Sequence, residues 1–276
     1  MQTVVITGGT DGLGKGLALH YLHQGAHVIA VGSTAAKGQA LLAEAKALPT
    51  GRASFVRADL TSVAASQELV ERLGEDQPVV DKLVLCAQRY RLFGDRVTTH
   101  EGFEHSFALA YLSRFVLSHG LHDALRAARS PVIMNVGTPG VPLGRIHWDD
   151  LQLTRTYSGT KATLQSFRAN DLLGVAFGVL HADSGVSYIG YNPGVVSTGM
   201  PASLPQPLRA TTKTFFTLFA TSVPRAIAPM TALLDDPPAG PFTAHWQKRR
   251  LPLDGRAFDR HDALRLHGLT RELISR

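Results

Sequence analysis

The sequence contains a single cysteine, Cys86, in 276 residues. No intramolecular disulfide can form, and nothing argues for an oxidising compartment. Long apolar runs are missing too, and none approaches the ~20 residues that a membrane-spanning helix needs. The opening MQTVVITGGT enters a strand pattern at once and leaves no room for a signal peptide. These absences lead us to expect a cytoplasmic protein with no membrane partner. Linkers, internal repeats and low-complexity segments are also absent. With 44% hydrophobic and 18% charged residues, the chain suits one domain over 1–276 with a substantial core.

Acidic residues are in deficit. The formal charge is +6 and the isoelectric point is near 9.7. The basic residues are scattered, however, and the densest run is Lys248-Arg249-Arg250. No helix-turn-helix, zinc or RNA-binding signature stands beside it, so neither a nucleic-acid partner nor a metal is expected. Such a charge favours acidic small molecules, nucleotides among them.

What is present is alternation. Strand-like runs at 4–7, 27–32, 53–60, 82–87, 131–137 and 186–194 alternate with helical spacing at 13–23, 35–48, 62–73, 102–129 and 160–181. This predicts an α/β fold, a doubly wound Rossmann-type parallel sheet with helices on both faces. From 201 to 221 the pattern breaks into PASLPQPLRATTKTFFTLFAT. That insertion reads as a lid over a substrate, with Phe215 and Phe216 against it, or as a helix packed on the core.

The segment TGGTDGLGKG follows the first strand and opens the first helix, with glycines at 8, 12 and 14. Glycine permits the tight turn and lets backbone N–H groups approach a pyrophosphate at a helix N-terminus. Gly8, Thr10, Asp11, Gly12, Leu13 and Gly14 are therefore candidate dinucleotide contacts. The end of the second strand lacks the carboxylate that binds ribose hydroxyls in NAD enzymes and carries Gly32-Ser33-Thr34. With Ser33, Thr34 and Lys37 there, NADP(H) is the expected cofactor; the bland alternative is an ordinary Ser/Thr helix cap.

TGGTDGLG, Asp59 in RADL, and Pro193-Gly194 with Thr198 in NPGVVST together resemble the short-chain dehydrogenase/reductase family across nearly the whole chain. GFEHSFALAYLSRFVLS, GRIHWDDLQ and YSGTKATLQSFRAND look like its retinol-dehydrogenase and protochlorophyllide-reductase branch. The resemblance implies that Asp59, beside Leu60, bonds the adenine. It implies that Cys86, Ala87 and Gln88 follow the fourth strand along the cofactor. It also implies that Pro193, Gly194, Val196 and Thr198 hold the nicotinamide carboxamide.

The same resemblance implies a catalytic tetrad, in which a lysine lowers the pKa of a tyrosine four residues earlier, with a serine and an asparagine completing it. YSGTK, with Tyr157 and Lys161, looks like that pair. One helix of about five turns and a strand would separate the lysine from the Pro-Gly loop by roughly 26 residues. Lys161 stands 32 residues before Pro193, and Phe167 stands 26 before it. Without a gap, the tyrosine position falls on Thr163, the lysine on Phe167, the asparagine on Ala110 and the serine on Gly137-Thr138.

Three readings follow. The first is an NADPH-dependent ketoreductase with no tyrosine/lysine acid. It would act on a large, apolar, aromatic polyketide ketone, with the proton supplied by the substrate and Thr138 and Thr163 beside it. Atypical angucyclinone ketoreductases that lack the tyrosine look similar. The second is a non-enzymatic NADP-binding sensor. The third is an ordinary family enzyme using Tyr157 and Lys161. A monomer or homodimer is expected in each case.

Overall fold

The structure, a computed structural model, describes residues 1–89, 91–196 and 221–275. Eight strands form one sheet in the order β3-β2-β1-β4-β5-β6-β7-β8. They are β1 (Thr3–Thr7), β2 (His27–Gly32), β3 (Arg52–Arg57), β4 (Lys82–Leu85), β5 (Val132–Val136), β6 (Ser187–Asn192), β7 (Phe242–Trp246) and β8 (Arg249–Arg250). Neighbours run parallel from β3 through β7, and only β8 pairs antiparallel. β4 and β5 are buried at every position, as expected for central strands with helices on both faces. The order reverses between β1 and β4. In such sheets ligands bind in the crevice beyond the strands' carboxyl ends at this reversal.

On one face, α1 (Gly12–His23) and α2 (Ala35–Lys46) lie with α8 (Val223–Asp235). The other face carries α3 (Val63–Asp76), α4 (His105–Phe107), α5 (Ser113–Gly120), α6 (His122–Arg126), α7 (Gly159–Leu180) and α9 (Arg260–Ile274). Local chemistry fixes the ends of these helices. Asp11 accepts from Gly12 N at 2.8 Å, Ser62 from Ala65 N at 3.1 Å and Ser158 from Lys161 N at 3.1 Å. Glu101 reaches back to accept from Val63 N and Ala64 N, both at 2.9 Å, and so supplies a second cap to α3.

Two predicted elements differ from the structure. The helical stretch 102–129 is interrupted: α4 passes into a π-turn at Ala108–Leu112 before α5 begins, and α6 is separate. One extra residue in the turn puts Ala110 in a bulge, a device frequent at functional sites. α7 spans 22 residues, about six turns where the spacing argument for the lysine took five, and its Ser158 cap starts it one residue ahead of the expected 160–181 stretch. Among the described residues, no helix is long and apolar enough to cross a membrane.

Candidate active site

The carboxyl ends of β1, β2, β3 and β4 surround a cleft of about 640 Å³. Of the residues read from the sequence, Gly8, Thr10, Asp11, Ser33, Thr34, Lys37, Asp59, Leu60, Ala87 and Gln88 line it. Gly12, Leu13 and Gly14 form the first turn of α1 beside it. Close packing sets the shape of the glycine turn. Gly8 has a φ of +66°, and a Cβ on Gly14 would come within 2.3 Å of the Gly8 carbonyl oxygen. Only glycine fits there, so the α1 N-terminus can stand close to a ligand.

Electrostatics favour an anion. Lys37 forms an ion pair with Asp11, and this hydrogen bond holds the Asp11 carboxyl below its ordinary range. Arg57, Arg89 and His105 also line the cleft, and sequence reasoning missed all three. Arg57 ends β3, two residues before Asp59, and its Nε donates to Ser33 O at 3.3 Å. It therefore stands against the Gly32–Thr34 turn. A basic residue two places before the aspartate was the available signal. Burial, with Arg91 nearby, pushes His105 below its usual pKa and keeps it neutral at pH 7. The glycine turn, the helix terminus and the cations together fit a dinucleotide.

Beyond β4 and β5 lies the reacting end implied by the resemblance. Cys86 packs against the core, and burial pushes its thiol up to about 12. Its side chain is thus structural. Thr138 follows β5 half-buried, and Thr163 is buried with no hydrogen-bond partner for its hydroxyl among the described residues. Pro193, Gly194 and Val196 follow β6, where Thr221 N donates to Val195 O at 2.9 Å. Thr198, Phe215, Phe216 and nearly all of the 201–221 segment lie outside the described residues.

The YSGTK segment is not a helical pair. Tyr157 precedes the cap Ser158 and lies off α7. Its hydroxyl donates to Glu104 at 3.3 Å, while Lys161 Nζ returns to Thr156 O at 2.9 Å. Burial, and then the Glu104 carboxylate, push the Tyr157 hydroxyl above its ordinary pKa. A catalytic tyrosine beside its lysine is shifted the opposite way. The longer α7 means that residue spacing alone does not fix the register. Asn170 does. It donates to Ala110 O at 2.7 Å and accepts from Asn135 at 2.8 Å, which pins this level of α7 to the π-turn and to β5. Thr163 and Phe167 precede Asn170 by seven and three residues and share its face.

A buried arginine completes this end, and no local pattern announces it. Arg114 on α5 is 1% exposed. It donates to Asn135 Oδ1, to Val136 O at 2.9 Å, to Ala87 O at 3.2 Å and to Gln88 Oε1 at 3.3 Å. Asn135 in turn donates to the Tyr188 hydroxyl at 2.9 Å. One guanidinium thus ties the ends of β4 and β5 together.

A family profile described as short chain dehydrogenase matches residues 2–208. This chain belongs to the short-chain dehydrogenase family. Members of this family use a nicotinamide dinucleotide, NAD(P). A Streptomyces sp. (strain C5) protein whose name gives it as a daunorubicin C-13 ketoreductase, DnrU, is 31% identical over 71% of this chain and 67% of its own length. Human retinol dehydrogenase 13 is 30% identical over 71% of this chain and 60% of its own length. Human polyprenol dehydrogenase is 29% identical, again over 71% of this chain, and 61% of its length is matched. The chain thus spans about 60 to 67% of these relatives. A solved structure of an uncharacterized protein from Mycobacterium paratuberculosis superposes with a TM-score of 0.71 at 22% identity, covering 100% of this chain and 94% of that one. A short-chain dehydrogenase/reductase from Mycobacterium marinum gives 0.69 at 16% identity, covering 89% and 93%. Both show the shared fold.

Proposed function

We propose that this chain is an NADPH-dependent ketoreductase. Its substrate is a large, apolar, aromatic polyketide ketone, and no tyrosine/lysine pair acts as the acid. The observation that carries this reading is the α7 face that Asn170 turns toward β5. Thr163 and Phe167, to which an ungapped match to the resemblance gives the tyrosine and lysine positions, share that face, and this supports the reading beside the nucleotide cleft. The relative named as a daunorubicin C-13 ketoreductase supports ketone reduction. The cofactor, when bound, supplies the hydride. The chain's residues do the rest by holding and orienting. Ser33, Thr34, Lys37 and Arg57 line the cleft where a ribose 2′-phosphate would lie; the Gly32–Thr34 turn carries no carboxylate, and Lys37 would exchange its ion pair with Asp11 for the phosphate. Thr138 donates to the carbonyl oxygen, and a substrate hydroxyl beside that ketone delivers the proton.

The test mixes purified protein with NADPH and a panel of phenolic polycyclic ketones, following the absorbance of reduced cofactor. Turnover restricted to ketones with a neighbouring hydroxyl is expected. Tight NADPH binding without turnover of any ketone would favour the sensor. Activity on simple aldehydes that is lost in Tyr157→Phe would favour an ordinary enzyme of the family. Cofactor choice is tested separately: NADPH should bind more tightly than NADH, and Gly32→Asp should reverse the order. A Cβ at Gly32 would lie 3.0 Å from the Thr10 hydroxyl oxygen, which can rotate away. Equal affinities in both proteins would sink the preference.

A further inference from the structure

Arg114 and Gln88 form a pair that the proposed reaction does not use, and the resemblance implies only that Gln88 lies along the cofactor. Arg114 lies beneath the cleft, and its Nη2 donates to Gln88 Oε1 at 3.3 Å. A guanidinium has donors only, so the contact settles which way the carboxamide points. Oε1 faces the arginine, and the amino group of Gln88 is left as the donor on the other side. Gln88 lines the nucleotide cleft. Its neighbour Ala87 packs against the glycine turn, where a Cβ added to Gly8 would lie 3.0 Å from Ala87 N. Arg114 also anchors this short segment by binding Ala87 O.

The order of strand ends shows what passes Gln88. Asp59 follows β3, the glycine turn follows β1 and Gln88 follows β4, in the sheet order β3-β2-β1-β4. A dinucleotide with its first ribose at the β2 end and its pyrophosphate at the α1 N-terminus places its second ribose over β4. That ribose would meet a lysine ammonium from α7 in the family, and Phe167 stands at that position here.

We propose that Gln88, oriented and polarised by Arg114, binds the nicotinamide-ribose hydroxyls and takes over the positioning role of the missing lysine. The unit also returns a positive charge to this end of the cleft, from α5 beneath rather than from α7 beside it. The arginine strengthens the amide donor because hydrogen bonds in a chain polarise one another. This inference rests on the dinucleotide part of the proposed function and on its placing of Phe167 at the lysine position, and is independent of the ketone.

The experiment compares two ligands. NADPH carries both riboses, whereas adenosine 2′,5′-bisphosphate carries only the adenine-side one. In Gln88→Leu, NADPH measured by its fluorescence should bind about tenfold more weakly, the loss of one or two hydrogen bonds. The bisphosphate, measured by calorimetry, should bind within about twofold of wild type. Arg114→Lys keeps the charge but not the fork, and should show the same selective weakening, at several-fold. If that buried variant fails to fold, Gln88→Leu decides alone. Unchanged NADPH affinity in Gln88→Leu overturns the inference, as does equal weakening of both ligands, which would mark a structural role. NADPH binding without ketone turnover would remove the reductase reading and leave this one standing. A wild-type protein that binds no NADPH would remove both.

Discussion

The two halves of the strand-end crevice have diverged differently. The half over β1, β2 and β3 keeps Gly8, Gly12, Gly14 and Asp59, and adds Lys37 and Arg57 around the Gly32–Thr34 turn. In the half over β4, β5 and β6, the proposed function puts Ala110, Thr138, Thr163 and Phe167 at the positions where the resemblance implies a proton-transfer group. Yet that half is not eroded. Arg114, Asn135 and Asn170 join in a chain that ends on Ala110 O, and each amide has its orientation fixed by the donor-only arginine. A buried polar group left without a partner costs about 1–3 kcal/mol, so the members of this network stabilise one another. The Arg114–Asn135–Asn170 network gives this half a rigid floor, beside which the buried Thr163 hydroxyl has no partner among the described residues.

The largest effect should come from breaking the retained half. Gly14→Val forces a side chain against the Gly8 carbonyl, where a Cβ alone would already stand at 2.3 Å. The turn must open. NADPH affinity should fall by about 100-fold or more, equivalent to two charge-assisted hydrogen bonds. Fluorescence titration measures this, and an affinity within tenfold of wild type would show that the glycine turn does not hold the pyrophosphate. Arg57→Ala comes next. NADPH should weaken about tenfold and NADH hardly at all, because the cation is asked to meet only the 2′-phosphate. Parallel losses for both cofactors would assign Arg57 to the turn's structure through its bond to Ser33 O.

The two halves also differ in how much could be read before folding. The glycine turn and its strand-helix context are local, so β1, α1 and the cleft residues from Gly8 to Gly14 were legible. So was the alternation that builds the sheet. Arg57 and His105 reach the cleft only because β3 and α4 end beside it, which no local pattern reports. Arg114 sits among apolar residues in SRFVLS and reads as an interruption of a helix face. Its meaning depends on Asn135, 21 residues away, and on Gln88, 26 away. YSGTK showed the converse: local spacing promised a helical pair, and the Ser158 cap places Tyr157 outside the helix.

A smaller effect concerns the floor of the half over β4, β5 and β6. Asp171, one turn beyond Phe167 on α7, accepts from Gly140 N at 3.2 Å and so holds the loop after β5. Burial pushes its carboxyl up to about 8, against the opposing pull of the Gly140 hydrogen bond and Arg168. The folded protein therefore keeps a proton that the unfolded chain has released between the ordinary carboxylate range and about pH 8. Stability should fall as pH rises through that window and level off above it. Asp171→Asn keeps an acceptor for Gly140 N and has nothing to ionise. It should flatten the profile and exceed wild type at pH 9 by about 1 kcal/mol or more. Denaturant melts across pH measure it, and parallel profiles for the two proteins would show that Asp171 is ionised in the fold.

The smallest effect on rate should come from Tyr157→Phe. The hydroxyl bonds Glu104, a fully buried carboxylate that also accepts from Phe107 N at 2.7 Å. Removing it strips one donor from a buried charge, so about 1 kcal/mol of stability should be lost. Hydride transfer should stay within a few-fold of wild type, whereas loss of a true general acid costs about 10²–10⁴-fold. The geometry predicts this split between stability and rate. Tyr157 lies ahead of the α7 cap, whereas Phe167 lies on the face that Asn170 ties to β5. Thr138→Val should therefore slow ketone reduction more than Tyr157→Phe does, because Thr138 follows the strand end directly and offers a hydroxyl donor there. Single-turnover rates on one ketone, with NADPH affinity checked in each variant, rank the two. A several-hundred-fold loss in Tyr157→Phe, with stability and cofactor binding intact, would return the proton to YSGTK and erase the difference between the two halves.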